Sequence, residues 1–159
     1  DYATATKALD TSALEATIAK ADALEEMSYT KASWDGNKDA IETAKTAAKA
    51  VLEAKESQEA VDNANTALTT AMGKLVKAGD LKGLQQAIDD AKAVDETLYT
   101  VKSVNSMKEK ITAAEKVLEE RGGLIDVIRA KANVNSAVKS LVKAYGSEKL
   151  QNLIDKAET

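Results

Sequence analysis

Five aromatic side chains and a few adjacent carboxylates are the residues in this sequence best suited to chemistry. The aromatics are four tyrosines and one tryptophan, with no phenylalanine. Two of them fall close together in Ser28-Tyr29-Thr30-Lys31-Ala32-Ser33-Trp34. Such a pair is either a platform for a ligand such as a glycan or a packed corner where two helices meet. The pairs Glu25-Glu26, Asp89-Asp90 and Glu119-Glu120 carry the groups used in acid–base hydrolysis. Asp35-Gly36-Asn37-Lys38-Asp39 carries oxygen ligands of the type found in calcium loops. Neither acidic motif has the geometry its chemistry needs. Adjacent residues on a helix point about 100° apart, so the paired carboxylates diverge and read as solvated faces. The Asp35 segment lacks the later glycine and closing glutamate of an EF-hand and falls inside an expected helix.

With no cysteine and no histidine, thiolate nucleophiles, imidazole bases and Cys/His metal sites are excluded. No cofactor or metal is expected, and the chain reads as non-enzymatic. The net charge of −4, with acids and bases mixed along each segment, argues against a nucleic-acid partner, which calls for a basic stripe. No apolar run approaches a membrane span, so no membrane insertion is expected. The chain starts mid-pattern at Asp1 without a signal peptide, which suggests a fragment of something longer.

The elements that would position these residues form an internal repeat. Leu14, Ile18, Ala21, Tyr29, Thr30, Ser33, Ile41 and Ala44 recur as Leu84, Ile88, Ala91, Tyr99, Thr100, Ser103, Ile111 and Ala114. Val51-Leu52-Glu53, Val61, Ala64 and Leu75-Val76-Lys77-Ala78 recur as Val117-Leu118-Glu119, Val127, Ala130 and Leu141-Val142-Lys143-Ala144. The offset drops by four residues between the two sets. Four residues are about one helical turn, so the apolar face keeps its phase and the middle helix of the second copy is expected one turn shorter.

Each copy holds three apolar stripes at three- and four-residue steps. Composition is rich in Ala, Leu, Glu and Lys, and proline is absent, so the class is all-α. Short connections make each copy an antiparallel up-down-up three-helix bundle. The expected organisation is a bundle over 9–79, a second over 80–146, and a helix over 147–159 that starts a third copy or packs back as a tail. Arranged end to end, the two bundles would be elongated, spanning about 70–90 Å for helices of about 30 Å. Asp10, Thr30, Ser57, Asp80 and Thr100 are expected N-caps, and Gly79 and Gly146 C-caps, while Gly122-Gly123 breaks the second and third helices of copy two. Met27, Met72 and Met107 read as core gap-fillers.

The first copy is similar to the FIVAR family ("found in various architectures"). The likeness rests on Tyr29-Thr30-Lys31-Ala32-Ser33-Trp34, on Val51-Leu52, and on Gln58-Glu59-Ala60-Val61-Asp62-Asn63-Ala64 through Leu68 and Ala71. The second copy is divergent: it keeps Tyr99-Thr100 and Ser103 but has Val104 at the tryptophan position. The resemblance implies an extracellular Gram-positive bacterial protein, secreted or anchored at the cell wall. It implies a non-catalytic stalk or adhesin segment, spacing its neighbours and binding a host matrix protein. The alternative is an accessory module of a secreted glycoside hydrolase that binds host or mucin glycan. Neighbouring repeats of the same chain are the other expected partners.

Two surfaces are candidates for binding. Tyr29 with Trp34, and Tyr99 in the second copy, mark the aromatic corner. Because an apolar residue stays at 104 after the tryptophan is lost, that corner is expected to be mainly packing. Leu124, Ile125, Val127 and Ile128 put four large aliphatics in five residues. They cannot all face one core, so part of this set is expected to meet a partner.

Overall fold

The computed structural model describes residues 8–144 and 147–158. Among them the protein is all-helical, and its contacts divide it into two compact units, with the division between Ala78 and Gly79. The first contains α1 (Ser12–Asp22), α2 (Lys31–Ala54) and α3 (Gln58–Met72). The second contains α4 (Leu81–Lys92), α5 (Val101–Glu119) and α6 (Leu124–Lys139), followed by α7 (Ser147–Ala157). Within each unit the three long helices all pack on one another. The unit division lies one residue before the boundary expected from the repeat. The Gly79 N–H donates to the Gly122 carbonyl (2.9 Å), which ties this residue to the second unit.

Two cores of matched residues hold the bundles. Leu14, Ile18, Ala21, Ile41, Ala48, Val61, Leu68 and Ala71 form the first. Leu84, Ile88, Ala91, Met107, Ile111, Ala114, Val127, Ala130 and Val134 lead the second. Leu14, Leu68, Leu84 and Val134 are wholly buried, and a large aliphatic side chain so placed contributes about 1.5–3 kcal/mol. The middle helices have 24 and 19 residues, so the deletion shortens α5 by little more than a turn.

The helix starts follow their caps. Thr30, Ser57, Asp80 and Thr100 accept hydrogen bonds from Ser33, Ala60, Gly83 and Ser103 N–H groups. Asp10 is not the cap residue of α1. Thr11 holds that place without a side-chain bond, and Asp10 folds back to accept from Ser12 N–H (3.1 Å) and Oγ (2.5 Å). Gly79 is not the C-cap of α3 either. Gly73 is, because the chain leaves the helix right after Met72 and runs on to meet the start of α2. Gly146 lies outside the described residues.

Both middle helices end through a basic residue in the left-handed region, Lys55 (φ 50°) and Arg121 (φ 48°). These are matched positions of the repeat. After α5, Arg121 N–H bonds the Leu118 carbonyl and Gly122 N–H the Val117 carbonyl, the paired bonds of a Schellman ending. Met27 is exposed rather than filling a core, because it rides on a separate 3-10 turn, Glu26–Ser28, between α1 and α2. Met107 is fully buried and Met72 packs against the first core.

Candidate binding surfaces

The segment that opens α2 is a backbone clamp. Thr30 N–H donates to the Val76 carbonyl (2.8 Å) and Ala78 N–H to the Ser28 carbonyl (3.0 Å), pairing Tyr29 with Lys77 as an isolated antiparallel bridge. Ser33 Oγ then accepts from Val76 N–H (3.0 Å) and from Thr30 Oγ1 (2.9 Å). The second unit repeats these bonds. Thr100 N–H reaches the Val142 carbonyl (2.7 Å), Ala144 N–H the Leu98 carbonyl (3.0 Å), and Val142 N–H the Ser103 Oγ (3.2 Å). Tyr-Thr-x-x-Ser is the part of the motif that locks the segment after the third helix to the start of the second. Periodicity holds no signal for this bridge, because its partner lies far along the chain.

Above that clamp the units differ. Tyr29 and Trp34 stack with ring centroids 6.0 Å apart and planes 19° from parallel. Both are half-buried, so one side of the pair meets solvent. In the second unit Tyr99 is half-buried and Val104 is buried. The position therefore plugs the bundle where it is valine and leaves an aromatic edge wet where it is tryptophan, an arrangement that suits an amphipathic ring. Beside the second clamp lies a cleft of about 310 Å³ lined by Lys102, Ser106 and Ser140 together with Thr100 and Ser103. Sequence reasoning did not single out Lys102, Ser106 or Ser140. Single Ser and Lys residues on helix faces carry no distinguishing pattern.

The aliphatic run splits as geometry demands. Val127 is 1% exposed, whereas Leu124, Ile125 and Ile128 are 60%, 64% and 55% exposed. They share the outer face of the first turns of α6. The matched residues of α3 are Gln58, Glu59 and Asp62. There Gln58 Oε1 accepts from Asp10 N–H (2.8 Å) and Gln58 Nε2 donates to the Asp10 carbonyl (3.0 Å), pinning the entry to α1. The same backbone therefore forms with polar residues at all three positions, and the patch is not a demand of the fold. Beside it a groove of about 200 Å³ runs between α5 and α6 over Ala113, Ala114, Val117 and Ala130, with Asp126 and Arg129 on its rim. Tyr99 stands at the other end of the unit, where α5 begins and α6 has ended. The candidates thus form separate surfaces.

Asp89-Asp90 and the Asp35 segment are engaged in local bonds. Asp89 and Asp90 each take a hydrogen bond from the glutamine four residues before, Gln85 and Gln86 (both 2.8 Å), on different faces of α4. Asp35 sits inside α2 between Lys31 (2.5 Å) and Lys38 (3.9 Å). No group of three or more potential metal ligands converges among the described residues. No helix there is long and apolar enough to cross a membrane. The carboxylates with a displaced pKa are structural: Asp10 and Asp95 are lowered by Ser12 and Thr97 hydroxyls and amides, and Asp22 by Lys45.

Comparison with known proteins finds a distant relative. Over 141 residues, 86% of the chain, it is 31% identical to the polysaccharide lyase 8 family protein HylA of Enterococcus faecalis (strain ATCC 700802 / V583). The chain spans 10% of that protein's length. No family model matches the chain, so the FIVAR likeness stands on its residues alone. No solved structure matches it.

Proposed function

We propose that the chain is a non-catalytic accessory segment of a larger, extracellular Gram-positive bacterial protein that works among polysaccharides. The observation that carries this reading is the likeness of most of the chain to a small part of a polysaccharide lyase 8 family protein. Two FIVAR-like bundles in tandem suit a stalk that spaces its neighbours, and the wet edge of the Tyr29–Trp34 pair suits contact with the face of a sugar ring. The dispersed carboxylates support the non-catalytic half of the proposal. The test is a glycan-binding screen of the chain beside Trp34→Val, which borrows the residue the second unit uses at that position. Binding by the wild type that Trp34→Val loses, with helicity kept, is the expected result. Binding indifferent to the substitution removes the aromatic pair from the site. Cleavage of a polysaccharide by the chain alone overturns the accessory reading.

The exposed Leu124-Ile125-Ile128 face favours a second reading, adhesion to a host matrix protein. A helix face is the common currency of such contacts. Three side chains cover only part of the roughly 800 Å² per partner of a standard interface, so they would anchor a larger contact. Capture of matrix proteins that is lost in Leu124→Gln/Ile125→Glu/Ile128→Asp supports it. Capture unchanged in that variant excludes this face.

A further inference from the structure

Helix α7 repeats the first helix of each unit. The 66-residue offset maps Ser147, where it begins, onto Leu81, where α4 begins. The same offset maps Ile154 onto Ile88 and Ala157 onto Ala91, and the 70-residue offset carries these to Ile18 and Ala21. In both bundles that face is covered: Ile18 is 7% and Ile88 1% exposed. In α7 it is open. Ile154 is 45% exposed, Leu153 beside it 64%, and Ala157 is exposed as well. One helix face thus occurs three times in this chain and is closed twice.

What closes it is the same object both times, a two-helix hairpin: α2 with α3, and α5 with α6. Each hairpin follows its first helix directly, through a 3-10 turn (Glu26–Ser28, Glu96–Leu98) and a Tyr-Thr start. We propose that the Leu153–Ile154–Ala157 face of α7 is the docking surface for a further hairpin of this kind, carried downstream on the same polypeptide, so that α7 is the first helix of a third bundle. This does not depend on the function proposed above.

Position 153 narrows the partner. Its counterparts are Thr17 and Ala87, both small and buried. Thr17 Oγ1 donates to Asn65 Oδ1 of α3 (2.5 Å), and Lys131 of α6 stands at the position matching Asn65. A leucine at 153 needs more room than either, so the hairpin that fits α7 carries a smaller residue at that facing position. Forcing a larger aliphatic into a filled site displaces its neighbours.

The test extends the intact chain after Thr159 with a second copy of its own residues 94–144, which keeps the repeat in register. It is made in three forms: wild type, Leu153→Ala and Ile154→Asp. Hydrogen exchange at residues 152–157 is read beside that of residues 86–91 of α4, with molar mass from light scattering. The expected result is exchange in α7 that slows toward the α4 rate in the monomer, more fully with Leu153→Ala, and that is fast again with Ile154→Asp. Slowing only in the Leu153→Ala form also supports the proposal and confirms the size rule at 153. Unchanged fast exchange in both the wild-type and Leu153→Ala extensions overturns it. Slow exchange confined to a dimer overturns it too, by assigning the face to a second copy.

Discussion

At the end where the second helix begins, the two bundles make the same clamp bonds at nearly the same lengths, through Thr30, Ser33 and Val76 in one and Thr100, Ser103 and Val142 in the other. At the opposite end, where the third helix begins, they share the left-handed turn through Lys55 and Arg121 but hold the entry to the first helix by different bonds. The first unit holds its entry segment with the Gln58 amide on Asp10. The second uses backbone, Gly79 N–H on the Gly122 carbonyl, and turns the freed side-chain positions apolar. The lesson is about which parts of a repeat are free to change. A backbone-to-backbone bridge needs only Thr and Ser hydroxyls around it, and it persists. A side-chain latch can be replaced wholesale once another bond holds the chain.

The largest test of this equivalence is in the cores. Leu14 and Leu84 occupy the same position and neither is accessible, so Leu14→Ala and Leu84→Ala should each cost about 2–5 kcal/mol. Amide exchange in α3 and in α6 reads the two units separately. Clearly unequal losses would mean that one unit relaxes into the cavity and that the matched cores are not packed alike.

Next comes the end where the units part. A Cβ on Gly79 would sit 2.7 Å from Val127 Cβ, while the matched residue of the first unit is Leu9, whose whole side chain finds room there, half-buried. The entry segment is thus packed close in one unit and spaced by a side chain in the other. Gly79→Ala should weaken the second unit by about 1–3 kcal/mol through overpacking. Leu9→Gly should weaken the first for the opposite reason, by about 1–2 kcal/mol of lost apolar burial. Urea unfolding reads both. A second unit indifferent to Gly79→Ala would show that Gly79 is not a close-approach site.

The clamp should respond symmetrically and less. Ser33→Ala and Ser103→Ala each remove the acceptor of a backbone N–H and the partner of a threonine hydroxyl. Each should cost about 1 kcal/mol, since these groups are partly hydrated. A loss in one unit alone would break the claim that this end is common to both.

Much of this plan can be read in the sequence, for physical reasons. Apolar spacing is set by helix geometry, so the three stripes of each unit, the four-residue deletion and the caps at Thr30, Ser57, Asp80 and Thr100 are local patterns with local causes. What escapes depends on distant partners. Nothing near Ser33 indicates that Val76 waits for its hydroxyl. Gly79 resembles a helix-ending glycine, yet its smallness answers to Val127. In the Leu124–Ile128 run, helical phase requires some residues to face out, but only the contrast with Gln58, Glu59 and Asp62 shows how little the fold asks of them. Tyr29 and Trp34 can be placed together from their spacing, whereas how wet the pair remains depends on the packing around position 34.

The smallest effect concerns a charge pair whose sign is reversed between the units. Asp22 of α1 meets Lys45 of α2 (3.1 Å), and at the matched positions Lys92 of α4 meets Glu115 of α5. The acid has changed helix and the attraction has been kept. The Lys92–Glu115 bridge is hydrated on both sides, whereas Lys45 is mostly covered and Asp22 half-exposed, so each bridge contributes modestly. Asp22→Lys alone should weaken the first unit by setting like charges face to face. Adding Lys45→Glu should restore it only in part, because the reversed pair returns the attraction while the new glutamate gives up the bond that Lys45 makes to Glu42 (2.8 Å). A double-mutant cycle with no positive coupling would reduce the reversal to chance. Acid gives an independent reading. The Asp22 carboxyl is held below its usual range, chiefly by its bond to Lys45. Its share of stability is then present above the unfolded carboxylate pKa of about 3.9 and is lost as pH falls through the lower folded value. Salt should weaken this increment at neutral pH, because the Asp22 carboxylate is half-exposed. The first unit's stability at low ionic strength should therefore fall on acidification by more in the wild type than in Asp22→Asn.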